Sequence, residues 1–244
     1  MKNGTGLLPM TATAARQLVN AENGEVAKVK YLAGFPRSYR FDASRGYFNV
    51  GGIQPISKKD EPITIIPVSY RIFTADILGV TGKQWVEIFF LNESNHLCNI
   101  LFHGYSVDSL LENTQELFYD DVNLCGVALT IQPIEKVSKQ QDENGKHPKY
   151  YIGKFTYQLL DEVARENLKA AVEQMPIFRS DTLTEEVETQ VSVNYNPPAT
   201  KEVEAATTET TETDTTAVAT KTPPPSTSKS KGRRKATKKE VAVA

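Results

Sequence analysis

The segment FPRSYRFDASRGYF, residues 35–48, combines five aromatic side chains and three arginines with a single acid. Aromatic rings offer faces on which unpaired bases stack, and guanidinium groups hold phosphates, so this mixture is typical of a surface for single-stranded nucleic acid. A small β-rich domain, however, also buries its Tyr and Phe side chains. We therefore predict that about half of the rings anchor the segment in the core, while its arginines stay exposed and contact phosphate. The candidate contacts are Arg37, Tyr39, Arg40 and Arg45.

Charged residues are segregated along the chain, although the 28 Lys and Arg nearly balance the 30 Asp and Glu. Residues 26–58 carry six basic side chains and one acid, and residues 181–214 carry nine acids and one lysine. Residues 221–239 carry eight basic side chains and no acid. Blocks of this kind are typical of interaction surfaces and tails, and the last one is predicted to touch a polyanion. Its centre supplies three further candidate contacts: Arg233, Arg234 and Lys235.

Patterns for catalysis or metal binding are missing from the sequence. The three histidines have neither HExxH nor Cys/His ligand spacing, and GVTGKQ lacks the first glycine and the final Ser or Thr of a phosphate loop. Cys98 and Cys125 each lie in an apolar run, which favours buried thiols in a reducing setting. Because no apolar stretch approaches the roughly 20 residues that cross a bilayer, no membrane contact is expected. We expect a cytoplasmic protein of a bacterial or phage-infected cell that is not an enzyme and uses no cofactor or metal.

Alternating apolar residues predict a mainly β chain with two or three helices. The predicted strands cover residues 63–77, 84–92, 96–104, 126–139 and 149–160. A helix is predicted at residues 106–121, with Ser106 as its N-cap, between the third and fourth of these strands. Two further helices are predicted at residues 11–21, capped by Thr11, and at residues 161–175.

This order of three strands, a helix and two strands resembles the oligonucleotide-binding (OB) barrel of the single-stranded-DNA-binding proteins of bacteria and their phages. The resemblance lies in the element order, without a sequence motif. It implies an OB-like five-stranded barrel over residues 60–176, preceded by an N-terminal helix and a basic, aromatic β extension over residues 1–58. Whether that extension belongs to the barrel is left open. The composition of residues 181–244 predicts a disordered tail with an acidic Thr-rich stretch, a proline spacer and a basic tip.

In an OB barrel the second and third strands and the 1–2 and 4–5 loops bind the ligand. Side chains alternate along a strand, so Val86, Ile88 and Phe90 are assigned to the core and Trp85 and Phe89 to the ligand face, although a lone Trp is often core. In the last strand, the residues assigned to the core are Tyr151, Phe155 and Tyr157. The candidate contacts of the barrel are Arg71, Phe73, Lys83, Trp85, Phe89, Lys146, Lys149, Tyr150 and Lys154.

Together these patterns predict binding of single-stranded nucleic acid, DNA in preference, without sequence specificity, in replication or as a phage accessory function. Bases would stack on the rings while Arg and Lys contact the backbone. The alternative is a virion or scaffold assembly protein with a basic tail that contacts nucleic acid. Its partner contacts would come from the last helix, through Leu160, Val163, Leu168 and Val172. A third possibility is duplex compaction by the basic tip alone. Homo-oligomers and replication or virion proteins are the further expected partners.

Overall fold

The computed structural model describes residues 6–77, 79–119, 122–178 and 188–194. The helices are α1 (Ala12–Ala15), α2 (Tyr105–Tyr119) and α3 (Glu162–Val172), with a short 3-10 helix at Leu124–Gly126. The strands are β1 (Arg37–Asp42), β2 (Tyr47–Val50), β3 (Gln54–Pro55), β4 (Ile63–Ile65), β5 (Pro67–Ile77), β6 (Val80–Leu91), β7 (Leu97–His103), β8 (Val127–Val137), β9 (Lys149–Leu159) and β10 (Glu188–Asn194). The prediction of a mainly β protein with a few helices is confirmed.

The strands form two sheets. One has seven strands in the order β10-β5-β6-β7-β1-β2-β3, and the other has three in the order β4-β8-β9. The predicted order of three strands, a helix and two strands is confirmed as β5, β6, β7, α2, β8 and β9. β1 joins the larger sheet as a parallel neighbour of β7, with Arg37 opposite Cys98. The basic, aromatic extension therefore continues the same sheet as β5 to β7.

The predicted strand at residues 63–77 is divided between the two sheets. β4 pairs with β8, with Ile63 opposite Ile131, whereas β5 pairs with β6. The break falls before Pro67, which has no N–H to donate, and the pairing with β6 shifts register between Pro67 and Ser69. One run of chain thus belongs to both sheets. Within the described residues these sheets do not close into the predicted barrel, because β1 rather than β9 lies beside β7.

The main core lies between the two sheets and α2. Val86, Ile88 and Phe90 of β6 are fully buried there, which confirms their assignment to the core. Phe155 of β9 packs against Phe102 of β7 with ring centroids 5.2 Å apart. Burying side chains of this size contributes about 1.5–3 kcal/mol each, so this layer holds the two sheets together.

A second apolar layer covers the other face of the larger sheet. Phe89 of β6 packs there with residues from the N-terminal segment, from α3 and from the chain that follows α3. The apolar side of α3 belongs to this layer through Leu168 and Val172, which are fully buried, and Leu160, just before the helix, is 8% exposed in the same layer. Only Val163 of the four residues proposed to contact a partner is exposed. The helix face predicted to bind another protein is therefore used inside the chain.

Local signals set the helix starts. Thr11 caps α1 as predicted, and Asp161 caps α3 by accepting a hydrogen bond from the Ala164 N–H. Ser106, predicted as an N-cap, instead lies inside the first turn of α2 and accepts a hydrogen bond from the Gly153 N–H of β9. In the described parts of the chain, no helix is long and apolar enough to span a membrane.

The prediction of a disordered tail from residue 181 is wrong at β10. This strand pairs antiparallel with β5, with Val193 opposite Tyr70 and Thr189 opposite Phe73. Its sequence, ETQVSVN, alternates polar residues with Val191 and Val193, and this alternation is typical of a strand. The surrounding residues are mostly polar, so the composition of the segment as a whole favoured disorder. The proline spacer and the basic tip lie outside the described residues.

Candidate nucleic-acid interface

A groove of about 980 Å³ lies between the start of α2 and the β8–β9 hairpin. We call it the hairpin groove. Its wall from α2 consists of Tyr105, Asp108, Ser109 and Glu112. Its wall from the hairpin consists of Ile134, Lys136, Val137, Ser138, Lys139, Gln140, Tyr150, Ile152 and Lys154. The groove forms because α2 packs along β9, whereas the β8–β9 hairpin extends beyond the first residues of α2.

The register of the hairpin decides which side chains enter the groove. Tyr150 of β9 stands opposite Lys136 of β8, and Lys154 stands opposite Gln132. Tyr150 and Lys154 therefore share a face, as the alternation predicted. On the other face Tyr151 and Phe155 are buried, as predicted.

Charge on the groove is divided between its walls. Three exposed lysines, Lys136, Lys139 and Lys154, stand on the hairpin wall. Two exposed acids, Asp108 and Glu112, stand on the α2 wall. A phosphate backbone would therefore be attracted to the hairpin wall, whereas the carboxylates can accept hydrogen bonds from base amino groups.

Two tyrosines frame the groove. Tyr105, at the first position of α2, is 65% exposed, and Tyr150 is half-buried. An exposed ring is available for stacking, since every base has a π-face. The structure thus brings together two predicted contacts, Tyr150 and Lys154, with residues that sequence reasoning missed. Those residues are Tyr105, Lys136 and Lys139, and the two lysines at and just after the end of β8 were the available signal.

The other predicted lysines of this region stand outside the groove. Lys149 Nζ donates a hydrogen bond to Glu135 Oε1 at 2.7 Å. This contact raises the pKa of Lys149 and lowers the pKa of Glu135, so the lysine charge is already partly matched. Lys146 is exposed in the turn of the hairpin, and Lys83 is exposed near the start of β6.

The predicted stacking residues of β5 and β6 are not on the surface. Phe73 and Phe89 are fully buried and Trp85 is 2% exposed. The Trp85 indole donates its Nε1–H to the Ala75 carbonyl at 3.0 Å, and the Phe89 ring packs edge-on against Phe178. The assignment of Phe73, Trp85 and Phe89 to an open ligand face is corrected, because all three side chains are buried and Phe89 lies in the second apolar layer.

Arg71 is likewise buried and paired rather than exposed. Its guanidinium contacts Glu87, its direct cross-strand partner, with Nη2 2.6 Å from Oε2. Asn99 of β7 donates its Nδ2–H to Glu87 Oε1 at 2.6 Å. The acid that interrupts the aromatic face of β6 is thus the counter-ion of Arg71 in the interior, and Arg71 is corrected to a structural residue.

The aromatic segment divides between core and surface, as its composition predicted. Tyr39 and Phe48 are buried, which corrects Tyr39 as a contact, whereas Phe35 is 66% exposed. Arg40 and Arg45 are exposed, but Arg37 is half-buried beside His96. The segment therefore presents cations and one ring to solvent. Arg233, Arg234 and Lys235 lie outside the described residues.

The remaining reactive groups are structural. Cys98 and Cys125 are buried free thiols, as predicted, and burial raises the pKa of Cys98 to about 12. In the described residues, no group of three or more His, Cys, Asp or Glu side chains is placed to hold a metal ion. Comparison of the chain with known protein families, characterised proteins and solved structures finds no match.

Proposed function

We propose that this protein binds single-stranded nucleic acid, DNA in preference, through the hairpin groove and independently of sequence. The observation that carries the proposal is the convergence of three lysines and two tyrosines on one open groove. Cations that follow a backbone, with rings beside them, are the combination that sequence-independent single-strand binding needs. A replication or phage accessory role follows from this activity.

The arrangement of the strands supports an open relative of the OB fold as the scaffold. β4 and β5 form one run of chain that pairs with both sheets, and α2 stands between the third and fourth strands of the OB order. In OB proteins the 4–5 loop belongs to the ligand site. The β8–β9 turn takes that place in the chain and supplies Lys139 to the groove.

In the proposed mechanism the lysines and the tyrosines of the groove act differently. Lys136, Lys139 and Lys154 contact successive phosphates, which releases condensed counter-ions and makes the affinity dependent on salt. The rings of Tyr105 and Tyr150 stack on bases, at about 1–3 kcal/mol for each stacked base.

Neutralising the groove lysines tests the proposal. We expect Lys139→Gln and Lys154→Gln to weaken binding of fluorescein-labelled oligo-dT by the full chain, measured by anisotropy at several salt concentrations. The slope of log affinity against log salt is negative, and each lost phosphate contact should reduce its magnitude by about 0.7. Because every variant keeps the same basic tail, the contribution of the tail cancels in the comparison.

The matched control is Lys169→Gln, which removes the same charge from an exposed position on α3. It should leave both the affinity and the salt slope unchanged. Equal effects of all three substitutions would show that only net charge matters and would remove the groove from the mechanism.

The assembly alternative has no specific observation in its favour. Its argument depended on an apolar face of the last helix, and that face is buried in the second apolar layer of this chain.

A further inference from the structure

Two large apolar side chains project into solvent side by side in the turn before β1. Leu32 is 71% exposed and Phe35 is 66% exposed. The Phe35 N–H donates to the Leu32 carbonyl at 2.8 Å, which closes the turn and places both residues at its base. We call this feature the Phe35 turn. Adjacent exposed apolar residues rimmed by charge mark a binding surface more often than isolated ones do.

Hydrogen bonds to the rest of the fold hold the turn in place. Gly34, at φ +80°, donates its N–H to the Tyr31 hydroxyl at 2.8 Å, and this hydroxyl donates to the Ile177 carbonyl at 3.0 Å. Lys30 donates its N–H to the Asn95 carbonyl at 2.8 Å. The Leu32 and Phe35 side chains are therefore presented by a fixed backbone, and a ligand that binds here meets little ordering cost.

The surroundings of the turn are positive. A shallow pocket of about 180 Å³ lies against Leu32 and Phe35, and its lining includes Lys30 and Arg37 but no acid. His96 also lines the pocket, and its Nδ1 lies 3.4 Å from Nη1 of Arg37. Partial burial, then Arg37 and Lys30, lower the pKa of His96 below its ordinary value, which favours the neutral ring at pH 7. The charge of the pocket at this pH thus comes from the lysine and the arginine.

We propose that this pocket binds one unpaired nucleobase with its phosphate, as a second subsite for the single strand. The proposal rests on the function proposed for the hairpin groove. The base stacks on the Phe35 ring beside Leu32, and the phosphate contacts Lys30 and Arg37. The pocket volume is below the 300–1,000 Å³ of sites for drug-sized ligands, which suits one planar ring rather than a folded peptide segment.

A fluorescent substitution tests the stacking directly. Trp85 is the only tryptophan of the chain and is 2% exposed, so the wild-type signal should not respond to oligo-dT. We expect Phe35→Trp to introduce an indole that oligo-dT quenches, at the concentrations at which anisotropy of a labelled oligonucleotide reports binding.

Affinity supplies an independent readout. We expect Phe35→Ala to weaken oligo-dT binding about 5- to 150-fold, the range that corresponds to one lost stacked base. Ile53→Ala is the matched control, because Ile53 is 88% exposed and lies outside the pocket lining. It should leave the affinity unchanged.

The two proposals fail in distinguishable ways. If oligo-dT binds fully to Phe35→Trp without quenching and Phe35→Ala keeps its affinity, the subsite is wrong, while the hairpin groove stands or falls with its own lysine variants. Quenching by poly-glutamate but not by oligo-dT would assign the turn to an acidic protein partner and overturn the base site. If the wild-type chain binds no oligonucleotide, both proposals are overturned.

Discussion

At the scale of single residues, the buried ion pair of Arg71 and Glu87 has the largest expected effect on stability. Their side chains are 1% and 0% exposed. Removing one member of such a pair leaves the other charge uncompensated in the interior, which costs about 3–5 kcal/mol. We expect Glu87→Gln to lower the free energy of unfolding by about that amount, measured by urea denaturation followed through Trp85 fluorescence.

A double substitution serves as the control. Replacing a buried ion pair with apolar residues of similar volume is often neutral, so Arg71→Met with Glu87→Leu should cost less than Glu87→Gln alone. The guanidinium also lies over the rings of Phe73 and Phe178, at 4.9 and 5.5 Å from their centroids, and a methionine keeps part of this contact. If Glu87→Gln unfolds at the same urea concentration as the wild type, the pair does not stabilise the fold.

At the scale of elements, α2 protects an edge of the smaller sheet. The outward N–H of Gly153 in β9 donates to Ser106 Oγ at 3.0 Å, and Asn113 Nδ2 donates to the Phe155 carbonyl at 3.1 Å. Unpaired backbone groups on a sheet edge invite pairing with another chain. By occupying these groups, the helix also fixes its own position along β9 and thereby the width of the hairpin groove.

Removing one of these side-chain partners should destabilise the sheet locally. Ser106→Ala leaves the buried Gly153 N–H without its partner, at an expected cost of about 1–3 kcal/mol. Ser109→Ala is the matched control, because Ser109 Oγ is 3.5 Å from the Phe155 N and should contribute less. Urea denaturation and hydrogen exchange of the Gly153 amide measure the two effects, and a larger loss for Ser109→Ala would contradict this account.

At the scale of the whole molecule, β10 covers the outer edge of the larger sheet. It pairs with β5 from residue 69 to residue 74, next to the strand that carries Trp85. We expect a chain ending at residue 194 to keep the wild-type melting temperature. A chain ending at residue 187 should melt lower and self-associate, because the edge of β5 is then open.

Thermal denaturation and light scattering of the two truncated chains test whether β10 stabilises the sheet and prevents self-association. Both chains lack residues 195–244, which include the basic tip, and they differ only in residues 188–194, which form β10. Identical melting and identical size for both chains would mean that β10 does not stabilise the sheet.

Most element types in this chain could be predicted from local pattern. Alternation of apolar residues located β5 to β9 and the buried set Val86, Ile88 and Phe90, because the period of a strand is a local property. The same logic placed Tyr150 and Lys154 on one face of β9. The sequence prediction missed β10, because the polar composition of residues 181–244 was given more weight than the alternation at Val191 and Val193.

The candidate site depended on contacts between distant segments. Alternation placed Trp85 and Phe89 on one face of β6, but the Phe89 ring is buried by Phe178 and α3, about ninety residues further along the chain. Likewise, Glu87 pairs with Arg71 because the register of β5 and β6 places the two residues opposite each other. The groove forms only where α2 meets the hairpin. No local sequence pattern therefore links Tyr105 to Lys139.

By itself, then, the sequence determined the mainly β composition of the fold, the order of its elements and the residues that share each strand face. Tertiary structure alone decided that both faces of β6 are buried, that β1 lies beside β7, and that three lysines line the groove between α2 and the β8–β9 hairpin. The physical reason is that propensity and alternation act over a few residues, whereas burial and strand pairing join segments far apart in the chain.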